Sequence, residues 1–386
     1  MMKATLLIGQ SVFSQVTDML IEIINTQDVD LNNANIHSSL CNLFCSFREG
    51  KHLILTDVDF LHKVSDFKEL GSLTCNTAQN LIQKTREFKQ LKNLVSYYCK
   101  VDMKNSSSSY TQDKVEGNFF TVGYSFFNDS SKIQYTKLLC EDISDYKLYK
   151  SISKFYQLIN RMGGININFE VLNGGGANTK YNFDKILEER FLCLCLLDSD
   201  KKHPKSGYGS TASKFNDESD SAICKHYTIE SHEVEALIPT EIVDQCIINK
   251  TIEGKYLNAL EQIKALTNHS PTTKLYFDHK EGFTIRKVIE IDEKYKDNYW
   301  KDAIVNAPNF KRKGCLEKLQ CDCTPPCMAL DGFGTGLLEA CSTVIERMSH
   351  IKLNESLSPI LINEWNKIGL KLLSWGCSSH NKTRTS

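Results

Sequence analysis

Residues 191–202 read FLCLCLLDSDKK. An apolar run rich in Leu and Cys stops abruptly at Asp198, Ser199 and Asp200 and continues into Lys201 and Lys202. A run this short, bounded by polar residues, predicts a strand buried on both faces, as in a parallel sheet covered by helices. Residues i and i+2 of an extended chain point the same way, so Asp198 and Asp200 are expected on one side of the strand's carboxyl end. Two like charges held that close repel each other unless a cation lies between them. The plain alternative is a polar turn in which an Asp caps whatever follows.

The flanking sequence alternates between strand and helix patterns. Strands are predicted at 133–141 (IQYTKLLCE), at 164–172 (GININFEVL), at the apolar run itself and, shorter, within 225–239 (KHYTIESHEVEALIP). Between them, 145–162 places Leu148, Ile152, Phe155, Leu158 and Ile159 on one helical face, and NFDKILEER reads as a short helix. Such alternation implies βαβ units and a parallel sheet, whose reactive groups gather at the carboxyl ends of the strands. Acidic residues sit at those ends: Glu141 after the first strand, Asp145 opening the next helix, Asp198 and Asp200 after the third, and Glu230, Glu233 and Glu235 after the fourth. A solvated charged face would not be confined to strand ends. Carboxylate oxygens are hard ligands that suit Mg²⁺ or Mn²⁺ better than Zn²⁺.

The motifs LLCEDISDYKLY and LCLLDSDKK, in this order, resemble the TOPRIM domain, the metal-binding fold of topoisomerases, bacterial primases and several nucleases. The segment SHEVEALIP looks like the one that adds glutamates for a second metal in the overcoming-lysogenization-defect (OLD) nucleases. The resemblance covers about residues 133–245. Asp142 stands where that family often has Gly, and no G-x-x-x-x-G-K-[ST] motif of the OLD ATPase is found in the chain. The resemblance implies a central TOPRIM-like, Rossmann-like parallel sheet and metal-assisted phosphodiester cleavage. It implies one or two Mg²⁺ or Mn²⁺ ions held by Glu141, Asp145, Asp198 and Asp200, with Glu233 and Glu235 as further ligands. Lys201 or Lys202 would neutralise charge on the phosphate. DNA is the favoured substrate, in defence against phage or plasmids, with a separately encoded partner such as an ATPase. The alternatives are an RNA-processing nuclease and a metal- and nucleic-acid-binding module without turnover.

The connection 198–227 holds five lysines and two tyrosines beside the acidic cluster. It reads either as a flexible loop that grips nucleic acid through Lys202, Lys205 and Tyr208, or as a disordered insertion. Cys315, Cys321, Cys323 and Cys327 lie close together around a Pro-Pro pair and are candidates for a structural Zn²⁺ site, although their spacing is not that of paired C-x2-C knuckles. Asp57 and Asp59 form a second D-x-D, read as a turn rather than a phosphatase motif. His232 is expected at the surface, as a lone His in an acidic turn usually is.

Near-neutral charge (net −1), with 41% hydrophobic and 24% charged residues, is an ordinary globular profile and carries no general nucleic-acid signature. No apolar stretch reaches the length of a membrane span. The first 15 residues do not read as a signal peptide. Fifteen cysteines, many inside apolar runs, fit a reducing cytoplasm. Three regions are expected: an α/β or α+β N-terminal domain at 1–118 that ends in a Ser-rich linker, with 75–100 largely helical; the TOPRIM-like domain at 130–245; and a mostly helical C-terminal region at 246–386 with a frayed tail. A homo-oligomer is compatible with this organisation.

Overall fold

A computed structural model describes residues 19–112, 117–162, 166–306 and 314–378. The expectations for residues 1–15, for positions 113–116 of the Ser-rich stretch, for the start of the 164–172 strand and for the tail from 379 onward lie outside the described residues. The chain is mixed α/β, with parallel sheets flanked by helices. It divides into two compact units. One gathers the chain up to Tyr135 with Gln157–Asn168 and the segment from Leu373; the other gathers Thr136–Tyr156 with Phe169–Leu372.

The first unit is built on a five-stranded sheet ordered β2-β1-β3-β5-β4, with β1 (Leu20–Ile24), β2 (Leu53–Leu55), β3 (Tyr98–Asp102), β4 (Tyr110–Gln112) and β5 (Phe119–Gly123). Its neighbours pair in parallel except β4, which runs antiparallel to β5. The helices are α1 (Ala34–Arg48), α2 (Val58–Asp66) and α3 (Ser72–Phe88). Asp57 caps α2, its carboxylate accepting from the Asp59 amide at 3.2 Å, so the second D-x-D is a helix start. Two expectations change. The helical reading of 75–100 ends at Phe88, and its last residues form β3, where Tyr98, Cys99 and Val101 are buried. The Ser-rich stretch is not a bare linker, because it supplies the edge strand β4.

The second unit carries a four-stranded, all-parallel sheet ordered β9-β8-β6-β7, with β6 (Lys137–Cys140), β7 (Glu170–Asn173), β8 (Cys193–Leu197) and β9 (Cys224–Thr228). All of β8 is buried, as expected of a strand covered on both faces. The predicted strand at 164–172 is broken: Asn166–Ile167 pairs antiparallel with Cys377–Ser378, and only Glu170–Asn173 joins this sheet. The helices α4 (Tyr146–Ile159) and α5 (Thr179–Glu188) form the crossovers. Leu148, Ile152 and Phe155 of α4 are buried as their spacing predicts, each fully enclosed side chain contributing about 1.5–3 kcal/mol.

Beyond the sheet come α6 (Thr240–Ile248), α7 (Leu257–His269) and α8 (Thr273–Tyr276). A strand pair follows, β10 (Gly282–Thr284) with β11 (Met328–Asp331). The remaining helices are α9 (Ile285–Tyr295), α10 (Tyr299–Asn306), α11 (Gly314–Glu317), α12 (Leu337–Arg347), α13 (His350–Ser356) and α14 (Pro359–Gly376). Among the described residues, no helix is long and apolar enough to cross a membrane.

Candidate metal centre

The strand order fixes where chemistry can gather. From β6 the chain crosses to β7 on one side, then returns past β6 to β8 and on to β9. The crevice between the carboxyl ends of β6 and β8 is therefore the topological switch point, where open α/β sheets admit ligands. Cys140 pairs with Leu196 across the ladder, so Glu141 and Asp198 leave the sheet on neighbouring strands at that crevice.

Local sequence sets each side chain. The Glu141 carbonyl accepts from the amides of Gly175 and Gly176 at 3.1 and 3.3 Å. Both glycines adopt left-handed backbone angles (φ 71° and 58°), which the turn requires and larger residues resist. Asp142 and Asp145 form a capping box: the Asp142 amide donates to Asp145 Oδ2 at 3.1 Å, and Asp142 Oδ1 accepts from the Ser144 amide at 2.8 Å. Asp142 is thus the N-cap and Asp145 its partner in the first turn, and Asp145 is also buried beside the other acids. After β8, the Ser199 hydroxyl donates to the Ser231 carbonyl at 2.6 Å and the Asp200 amide to the His232 carbonyl at 2.9 Å, which staples the two acidic turns together. Asp198 and Asp200 do not share one orientation. The extended run ends at Leu197, and Asp200 has φ 54°, so Asp198 points inward with an enclosed Oδ1 while Asp200 is exposed. The side chain of Asp200 lies over Gly209, where a Cβ would come within 2.0 Å of its Oδ2.

The turn after β9 is held from behind. The Trp365 indole donates to the Leu237 carbonyl at 2.9 Å, the buried Lys274 amine donates to the Ala236 carbonyl, and the His232 amide donates to the Leu275 carbonyl at 2.6 Å. These contacts bury His232, Glu233 and Glu235; His232 is not the surface residue its sequence context suggests. Its Nε2 lies 3.5 Å from Asp278 Oδ2. Glu230 leaves the group, paired with Lys201 at 3.2 Å and accepting from the Tyr276 hydroxyl at 3.0 Å.

Lys280 was not foreseen. Its amine lies 3.1 Å from Glu233 Oε2 and 3.0 Å from Glu235 Oε1. Glu233 Oε1 also accepts from the amides of His279 and Lys280 at 3.0 and 3.3 Å. Asp278 and His279 were missed with it. The stretch FDHKEGFT lies in a region read as helical, about 80 residues from the D-x-D, and only its density of charge between aromatics marks it out.

The electrostatics are one-sided. Burial pushes Asp198 well above the usual carboxylate range, and the charges of Asp145, Glu235, Glu141 and Glu233 push it further. Burial likewise raises Asp145 to about 7, reinforced by Glu235 and Asp142 against the lowering effect of the Asp142 amide. Burial raises Glu141 and Glu233 as well; a hydrogen bond from Thr211 and the charge of Lys280 only partly offset it at Glu141. Glu141 Oε2, Asp198 Oδ1 and Glu235 Oε2 are enclosed and have no hydrogen-bond partner. Buried carboxylate oxygens normally have one, and an unmade bond there costs about 1–3 kcal/mol or more.

Among the described residues, two groups bring possible metal-ligand atoms within 4.8 Å of one another: His232, Glu233 and Asp278, and the four cysteines Cys315, Cys321, Cys323 and Cys327. The first overlaps the foreseen set at Glu233 alone. Asp278 is already engaged, accepting from Lys202 at 2.7 Å and from the Glu281 amide at 2.8 Å; against the upward push of burial, His232, Lys202 and the Glu281 amide together hold it well below the usual range.

The connection 198–227 is built rather than loose. His203 is buried, stacked on Tyr295 at 4.5 Å and bonded to Asp297, and the Trp300 indole donates to the Lys202 carbonyl at 2.7 Å. Phe215 packs edge-on against Phe183. The foreseen phosphate-binding lysines sit in ion pairs, Lys202 with Asp278 and Lys205 with Asp297 at 2.6 Å. Tyr208 is exposed, with the Lys201 amine 4.9 Å from its ring centre. Comparison with family models, with curated proteins and with solved structures gave no match.

Proposed function

We propose that this chain is a TOPRIM-like nuclease that hydrolyses phosphodiester bonds in DNA with Mg²⁺ or Mn²⁺, as the effector of a defence system. The observation that carries the reading is the trio of enclosed, partnerless oxygens on Glu141, Asp198 and Glu235 around the switch point. A lone Lys280 amine does not balance this many buried carboxylates, and hard oxygen donors in surplus are the donor set of a divalent cation. Glu141, Asp198 and Glu235 would hold the ion by drawing together around it, since without an ion their oxygens do not all lie within 4.8 Å of one another; Asp145 and Asp200 are further acids of the same cluster. When bound, the ion supplies an acidified water and charge stabilisation at the phosphoryl oxygens.

The remaining work falls to the chain itself. Lys201 stands two residues after Ser199 on the stapled turn, and its amine exchanges Glu230 for a phosphate oxygen as substrate enters. The exposed ring of Tyr208 offers a base a stacking face beside that amine. Lys280 offsets one of the two charges carried by Glu233 and Glu235, which favours one tightly held ion over two.

A second reading, a binding module without turnover, is favoured by the engagement of Lys202 and Lys205 in ion pairs rather than on an open basic face. One experiment separates the two. Supercoiled plasmid, linear DNA and single-stranded RNA are incubated with the purified chain in Mg²⁺, Mn²⁺ or EDTA, beside Asp198→Ala. Metal-dependent cutting lost in the variant upholds the nuclease and identifies the polymer. Calorimetric Mn²⁺ binding without cutting supports the binding module, and no Mn²⁺ binding overturns both.

A further inference from the structure

The four cysteines lie far along the chain from the acidic cluster, yet backbone hydrogen bonds tie the two together. Cys315 stands on α11, and Cys321, Cys323 and Cys327 lie on the stretch that leads into β11. Their sulfurs are all within 4.8 Å of one another, and none is in a disulfide. Four thiolates at about 2.3 Å from a tetrahedral Zn²⁺ stand about 3.8 Å apart. The Cys315 and Cys323 sulfurs are 3.7 Å apart. Cys321 is buried and Cys323 exposed, so the group is a closed knot at the surface rather than part of the apolar core.

The stretch that runs from the knot to Gly334 fastens both ends of one segment, residues 278–286, the knot itself holding the near end. At the near end, the Arg286 guanidinium donates twice to the Cys321 carbonyl, at 3.2 and 3.0 Å, and the Ile285 amide donates to the Cys327 carbonyl at 2.8 Å. In the middle, β10 pairs with β11, Gly282 opposite Asp331 and Phe283 opposite Leu330. At the far end, the Phe333 amide donates to the His279 carbonyl at 2.8 Å and the Gly334 amide to the Lys280 carbonyl at 3.0 Å. A Cβ at Gly332 would meet the Lys280 carbonyl at 2.4 Å, so the two backbones are in close contact there. A three-residue strand pair has little stability of its own.

We propose that Cys315, Cys321, Cys323 and Cys327 hold one zinc ion, and that this ion fixes the strand pair that delivers Asp278, His279 and Lys280 to the acidic cluster. Zinc here is structural, and its influence on the cluster is exerted through backbone position. The proposal stands whether or not the chain cuts nucleic acid.

The test uses the full chain, purified under reducing conditions. Elemental mass spectrometry is expected to find about one zinc per chain, falling to background in Cys321→Ser/Cys327→Ser. Hydrogen exchange of zinc-loaded and zinc-stripped protein is then compared. Amides of 278–286 are expected to exchange about tenfold faster without zinc, while β6 and β8 keep their protection. Should the double variant fail to fold, Co²⁺ loaded into the wild-type chain gives the second reading, with the intense thiolate-to-metal absorption of a tetrathiolate site expected. Absence of zinc, iron in its place, or no thiolate–cobalt absorption overturns the site. Exchange that rises only within 315–327 overturns the positioning role.

Discussion

Asp145→Asn should make the metal-free protein more stable, by an amount that depends on pH. The carboxyl of Asp145 is buried and faces the charges of Glu235 and Asp142, so it titrates at about 7 in the folded chain against an ordinary 3.8. A folded-state value raised this far means that the native state binds the proton more tightly than the unfolded state does. Stability must then rise as pH falls from above 7 towards 4, and be lost again as pH climbs through 7. At 1.36 kcal/mol for each unit of difference, the carboxyl costs about 4 kcal/mol at pH 8, about 2 at pH 5 and less than about 1 at pH 4, relative to a side chain that never ionises. Asn removes the charge and retains an oxygen to accept from the Asp142 amide, so the capping box survives. Scanning calorimetry in EDTA at the three pH values should show the variant's transition for the Thr136–Leu372 region shifted upward by roughly 10 °C at pH 8 and by little at pH 4. A variant less stable than wild type at pH 8, or one with an unchanged pH slope, would refute the view that these acids repel one another in the absence of a cation.

Two other changes probe the same cluster. Lys280→Met removes the amine shared by Glu233 and Glu235; it should cost about 2 kcal/mol at pH 8, less than a fully buried pair because the lysine is 38% exposed, and calorimetry should show the loss shrinking as Glu233 takes up a proton at lower pH. Gly209→Ala places a methyl group 2.0 Å from the Oδ2 and 2.3 Å from the Cβ of Asp200; because that Cβ is fixed to the backbone the turn itself must shift, so the variant should lose about 1–3 kcal/mol of stability and bind Mn²⁺ about tenfold more weakly by calorimetry, and an unchanged affinity would remove Asp200 from the ligand set.

The parts of this molecule that were legible in the sequence are those governed by local pattern. The run before Asp198 reads as a strand buried on both faces and 145–162 as an amphipathic helix, and Cys193–Leu197 and Tyr146–Ile159 take those forms. Glu141 and Asp198 followed from them, because a strand's end is a local property and parallel sheets put such ends together. The orientation of Asp200 did not follow, since a single left-handed residue cancels the alternation that predicts it. The helical reading of 75–100 runs on into Tyr98–Lys100 because the preceding helix formers continue to the brink of Tyr97, while the switch to strand is decided by pairing with β1 and β5. Lys280 was invisible for the opposite reason. Nothing local requires a lysine there, and its purpose is set by two glutamates some 45 residues upstream.

That dependence has a consequence for the birth of the protein. Glu141, Asp145, Asp198, Glu233 and Glu235 all emerge from the ribosome before Lys280, and the strand β11 that seats Lys280 follows only after a further 48 residues or so. During this interval the nascent chain carries a sheet whose acidic rim has no internal counter-ion. A fragment that stops at residue 245 would be frozen in that condition, able to pair its strands but left with like charges facing one another at their tips. The sheet can therefore pair its strands early, while part of the counter-charge for its acidic rim arrives only with the later strand pair.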